Sequence, residues 1–116
     1  MGRDRARPRN RKQQVVLRKD IMRLFNKSCV LCGEYITCRL TVEHLVPITR
    51  GGSDKKENLA PAHWVCNYVR GNSSFVWAAL RLEQIHKVMG NQAFCKWVHT
   101  VPYPEASRLP EPATPC

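Results

Sequence analysis

A chain of 116 residues, 43% of them apolar, is long enough for one small domain with a modest core, to which a structural metal would add stability. Its 19 Lys+Arg against 9 Asp+Glu give a net charge of +10, which points to a polyanionic partner such as nucleic acid, or else to a solvated basic face. The sequence holds no apolar run long enough to span a membrane, and its basic N-terminus lacks the apolar core of a secretory leader. Six Cys with one CxxC pair and no leader favour thiolates and metal over disulfides. An intracellular, reducing compartment is expected, the cytoplasm of a bacterium or of a phage-infected host.

Taken in chain order, residues 1–12 read as a disordered basic arm, 13–101 as the folded domain and 102–116 as a Pro-rich tail. Residues 1–27 hold ten basic side chains against two acids, a local excess of +8. A helix is predicted from about Gln13 to Phe25, because Leu17, Ile21 and Leu24 recur at helical spacing with Lys and Arg opposite. Asn26-Lys-Ser28 ends it. Cys29-Val-Leu-Cys32-Gly33 reads as a tight metal-binding turn. Leu40 to Val46 and Leu59 to Ala62 are strand candidates, separated by a polar, Gly-rich loop after Pro47. A helix follows from His63 to about Arg70, with Gly71 as a left-handed cap, and another from Phe75 to about Met89, capped by Ser73 or Ser74. Gly90-Asn91 breaks it, and a short apolar segment with Phe94, Trp97 and Val98 comes next.

Tetrahedral zinc takes four N/S ligands, commonly in two pairs. Cys29 and Cys32 form one pair, and His63 and Cys66, one helical turn apart, form the other. Cys38 is the alternative to His63 as fourth ligand, while Cys95 and Cys116 read as ordinary free thiols. Between the pairs lie Glu43-His44 and Asn58, and Asn67 follows Cys66. Imidazole titrates near neutral pH, so His44 has the chemistry of a general base. Glu43 and Asn67 offer the oxygen ligands that magnesium prefers. Taken singly, each has a plainer reading: His44 as a core histidine, Asn58 as a turn residue, Asn67 as a helix-surface residue. Glu43 and His44 are adjacent on a strand and would point to opposite faces unless the strand bends or ends there.

The order CxxC, Glu-His-Leu-Val-Pro, Gly-Gly, Asn-Leu, His-xx-Cys-Asn, Arg-Gly, running from Cys29 to Asn72, resembles the HNH endonuclease family. Two details depart from its commoner pattern: His-xx-Cys stands for Cys-xx-Cys in the second zinc pair, and Glu for Asp before the histidine. The resemblance implies an α+β fold, a small ββα-metal core with structural zinc, flanked here by N- and C-terminal helices. It implies His44 as general base, Asn58 orienting the His44 ring, and Glu43 and Asn67 holding a catalytic Mg2+, or Mn2+ or another divalent cation. Cys29, Cys32, His63 and Cys66 would hold the structural Zn2+. The implied activity is a metal-dependent DNA endonuclease or nickase that leaves 3′-hydroxyl and 5′-phosphate ends.

Double-stranded DNA is the expected partner, held with weak sequence preference through its phosphate backbone. Arg50, Lys55 and Lys56 flank the site, and Arg70 lies one turn beyond Asn67 as a phosphate clamp. Trp64, Trp77 and Trp97 read as core residues before base-stacking ones. A monomer or weak dimer is expected. The roles compatible with this pattern are phage DNA packaging with a packaging partner, restriction, and mobile-element cleavage. The rival readings are a non-catalytic zinc-stabilised nucleic-acid-binding module and an accessory subunit active only in a larger assembly.

Overall fold

The computed structural model describes residues 8–101; the expectations for residues 1–7, for the 102–116 tail and for Cys116 lie outside them. Helix α1 spans Arg11–Leu24. It starts two residues before the predicted position because Asn10 and Gln13 form a reciprocal capping box: the Asn10 side chain accepts from the Gln13 backbone N–H, and Gln13 accepts from that of Asn10. It ends where Asn26 and Lys27 turn left-handed (φ 53° and 59°) and the Lys27 N–H reaches back to the Met22 carbonyl at 2.7 Å.

The CxxC turn follows. Cys29 N–H donates to the Glu34 carbonyl and Gly33 N–H to that of Cys29, both at 2.8 Å, closing a tight loop. Gly33 sits at φ 85°, a conformation L side chains rarely adopt. Strand β1 (Leu40–His44) pairs antiparallel with β2 (Leu59–His63), from Leu40 opposite His63 to His44 opposite Leu59. Both strands of such a ribbon are edges, so Pro61 is tolerated within β2. Two short 3-10 turns, Ile48–Arg50 and Lys56–Asn58, shape the loop between the strands.

Helix α2 (Trp64–Arg70) begins at the end of β2, α3 covers Phe75–Met89 and α4 covers Asn91–Thr100. The predicted bounds of the third helix coincide with α3, and the Ser74 side chain caps it by accepting from Trp77 N–H. The apolar segment after Gly90 is itself a helix, since it buries Phe94 and Val98 one turn apart. Gly71, at φ 54° and ψ −125°, has a positive φ but not the left-handed helical conformation predicted.

Helix α1 packs on β2, and α2 packs on both strands and on α3 and α4. The core joins Leu31 and Ile36 of the Cys turn, Leu40 and Ala62 of the ribbon, Trp64 and Val65 of α2, Ala78 and Leu82 of α3, and Phe94 and Val98 of α4. Trp64 is buried and Trp97 packs against the core, as read from the sequence; Trp77 is half exposed on α3.

Candidate functional site

The first constellation is the Cys/His cluster. The ligand atoms of Cys29, Cys32, His63 and Cys66 all lie within 4.8 Å of one another, and three of the four residues are buried. His63 sits at the last position of β2, immediately before α2, so Cys66 falls one turn into the helix and both face the Cys turn. Nδ1 of His63 lies 3.4 Å from the Cys32 sulfur and 3.7 Å from the Cys66 sulfur. Its Nε2 is 3.0 Å from the Tyr35 carbonyl, which fixes the tautomer: Nε2–H donates outward, and the Nδ1 lone pair faces the sulfurs. The backbone N–H groups of Cys32 and Glu34 donate to the sulfurs of Cys29 and Cys32.

The electrostatics of this cluster call for a cation. Burial resists ionisation of Cys29, yet contacts from the Cys32 and Cys66 thiols and from His63 hold its thiol well below the ordinary range. The cost falls on the neighbours. Hydrogen bonding to Cys29 pushes the Cys32 and Cys66 thiols up, and burial adds to it. Three converging sulfurs thus cannot all become thiolates without a compensating positive ion. Donor types, separations and the fixed imidazole fit tetrahedral zinc. Cys38 lies outside the cluster; it is disulfide-bonded, which removes it as a fourth ligand and departs from the all-thiolate expectation. Cys95 is an exposed free thiol, as expected.

The second constellation surrounds the end of β1, where Glu43 and His44 diverge as strand geometry requires. The Glu43 carboxylate is buried toward α2, and its Oε2 accepts from Arg70 Nη1 at 2.9 Å. Burial raises the Glu43 pKa, against the pull of the Arg70 guanidinium. The His44 ring turns to other partners. Its Nε2 lies 2.7 Å from Asp54 Oδ1, each side chain about a third exposed. With Val42, two residues earlier on the same strand face, His44 lines a cavity of about 360 Å3 whose other wall is α1. A smaller cavity of about 170 Å3 is lined by Glu43, His44, Arg70 and Asn72 among others; Asn67 does not line it.

Two expected roles need correction. Asn58 does not hold the His44 ring. Its amide nitrogen donates to the carbonyls of Val46 at 2.9 Å and Ser53 at 2.8 Å, and its Oδ1 accepts from Val46 N–H at 2.8 Å. Both amide protons and the amide oxygen thus staple the inter-strand loop, and Asp54 is the ring's partner. Nor is Arg70 an exposed phosphate clamp. It is 2% exposed, and its guanidinium donates to Glu43, to the carbonyls of His44 and Leu45, and to that of Ser73. The burial of helix α2 against the ribbon, invisible in the local pattern, turns this arginine inward.

Among the other expected DNA contacts, Arg50 and Lys55 are exposed, and Lys56 is exposed while pairing at 3.7 Å with Asp20 of α1. Asn67 is half-buried on α2. Asp54 was not singled out in the sequence. An acid ten residues after His44 in a Gly-Gly-Ser loop has no signature until the loop folds back.

The sequence model of the HNH endonuclease family matches residues 29–73. That stretch runs from the first cysteine of the cluster through the ribbon and α2. It is therefore an HNH domain, and its α+β core, with a Cys/His cluster fit for zinc, is the architecture that the resemblance implied. No curated protein and no solved structure matches the chain significantly. Among the described residues no helix is long and apolar enough to cross a membrane.

Proposed function

We propose that this protein is a metal-dependent endonuclease that hydrolyses phosphodiester bonds of double-stranded DNA. The observation that carries the reading is the HNH domain of residues 29–73, with His44 at the open end of its first strand. Asp54 accepts the Nε2 proton of His44, which leaves the Nδ1 lone pair free to take a proton from water. The resulting hydroxide attacks phosphorus, the bond to the 3′ oxygen breaks, and that oxygen takes up a proton from solvent. By the family resemblance Glu43 and Asn67 would hold Mg2+ or Mn2+, being oxygen donors of the type such ions take, although Glu43 already pairs with Arg70 and Asn67 does not line the cavity beside it. When bound, that ion supplies neutralisation of charge on the phosphate and the leaving oxygen. Exposed Arg50, Lys55 and Lys56 carry the positive charge that draws the phosphate backbone.

One observation favours the rival reading of a non-catalytic zinc-stabilised binding module: the Glu43 carboxylate is already neutralised by Arg70. Supercoiled plasmid incubated with purified protein in Mg2+, Mn2+ and EDTA, beside His44→Ala, separates the two. Metal-dependent conversion to open-circle or linear DNA by the unmodified protein alone is the expected result. Folded, zinc-loaded protein that binds DNA and never cuts it would sink the nuclease reading and leave the module.

A further inference from the structure

The approach to His44 is walled on one side by α1, outside the residues that match the family model. The cavity of about 360 Å3 there is lined by Arg9, Gln14 and Arg18, with Asp54 and His44 facing them and Leu17 among its apolar wall residues. At about 30 Å3 per water molecule it has room for roughly a dozen waters, and hence for a phosphodiester group.

Among the described residues its charge is unbalanced: two guanidiniums face one carboxylate, and the His44 ring lies 2.7 Å from that carboxylate. Arg9 uses one N–H on the Asp54 backbone carbonyl at 2.7 Å, and the Gln14 side chain holds the Arg9 carbonyl at 3.2 Å. Arg18 is half-buried, makes a single long bond of 3.4 Å to the Leu40 carbonyl, and pairs with no carboxylate among the described residues. Burial without an anionic partner pulls its pKa down from the usual arginine value. A guanidinium carries five N–H donors in a planar fork matched to phosphate oxygens. Here most of those donors are unused, beside apolar walls that strengthen its field.

We propose that Arg18, supported by Arg9, forms the anion site that seats a DNA phosphate against His44. This rests on the nuclease reading and deepens it. It moves the phosphate clamp from Arg70, which is buried, to the face of α1. The basic residues of α1 then do more than add diffuse affinity: one of them fixes where the backbone lies relative to the base.

The test compares Arg18→Ala, Arg18→Lys and, as a control for loss of one positive charge elsewhere, Lys87→Ala on exposed α3. Plasmid cleavage is measured as kcat and KM, and affinity for a short duplex is measured by fluorescence anisotropy in EDTA. Arg18→Ala is expected to lower kcat/KM and affinity by about tenfold or more, the scale of a charge-assisted hydrogen-bonding group. Lys87→Ala should stay within about twofold, as for exposed charges. Arg18→Lys should recover part of the affinity but less of kcat, because it keeps the charge and loses the fork. If the unmodified protein cuts and Arg18→Ala cuts within about twofold of it, the proposal is overturned while the nuclease reading stands. If the protein does not cut, the nuclease reading falls and anisotropy decides the site: equal losses for Arg18→Ala and Lys87→Ala, or no duplex binding at all, overturn it. Circular dichroism and zinc content check folding, and Arg18→Gln substitutes should the alanine variant unfold.

Discussion

Replacing Arg70 with Ala separates a buried structural arginine from a surface phosphate clamp. The guanidinium makes four hydrogen bonds of 2.8–2.9 Å, one to the Glu43 carboxylate and three to the carbonyls of His44, Leu45 and Ser73. Removing one partner of a buried ion pair costs about 3–5 kcal/mol, because the other charge is left uncompensated. Each carbonyl that water fails to reach adds about 1 kcal/mol or more. Set against a total stability of about 5–15 kcal/mol, a loss of at least about 4 kcal/mol leaves the variant near its unfolding threshold. Urea titration of the zinc-loaded protein, followed by circular dichroism, should show a midpoint far below that of the unmodified protein. Glu43→Gln introduced together with Arg70→Met should recover part of the loss, since no charge is then stranded. A midpoint for Arg70→Ala within about 1 kcal/mol of the unmodified protein, with weaker DNA binding, would refute the reasoning and restore Arg70 to the surface role that its sequence position suggested.

Removing zinc with a strong chelator, or changing Cys66 to Ser, should abolish the cooperative thermal transition. A structural zinc site of this kind contributes on the order of 10 kcal/mol, and mass spectrometry of the native protein should find one zinc per chain. Gly52→Ala should destabilise by about 2 kcal/mol or prevent folding, read by the same urea titration. A Cβ there would stand 1.8 Å from the Val46 carbonyl oxygen, which is itself held by Asn58. Asn58→Ala should cost about 2–3 kcal/mol through loss of three hydrogen bonds, whereas Asp54→Asn, at a site about a third exposed, should change stability by less than about 1 kcal/mol and still lower kcat. Equal effects of the two on stability would contradict the division of labour between loop staple and ring partner.

Much of this protein could be read along the chain. Local signals were sufficient wherever the deciding contacts are close in sequence: the Cys29–Gly33 turn, the break at Asn26, the span of α3. The paired spacing of Cys29/Cys32 and His63/Cys66 pointed to the Cys/His cluster, where three sulfurs and an imidazole converge closely enough to hold a metal ion. The order of motifs from Cys29 to Asn72 identified the HNH domain. Tertiary structure decided what each polar side chain faces. Arg70 lies one turn past Asn67 and reads as a surface cation, but packing α2 on the ribbon points it at Glu43 across 27 positions of sequence. Asp54, which carried no expectation, took the ring-partner role expected of Asn58 because the loop after Pro47 folds back on itself, and Arg18 came to face His44 because α1 packs on β2. Composition and spacing encode which chemistry is available. For Glu43 and Arg70 the direction of the side chain is fixed by the buried partner that satisfies it, and that partner comes from elsewhere in the chain.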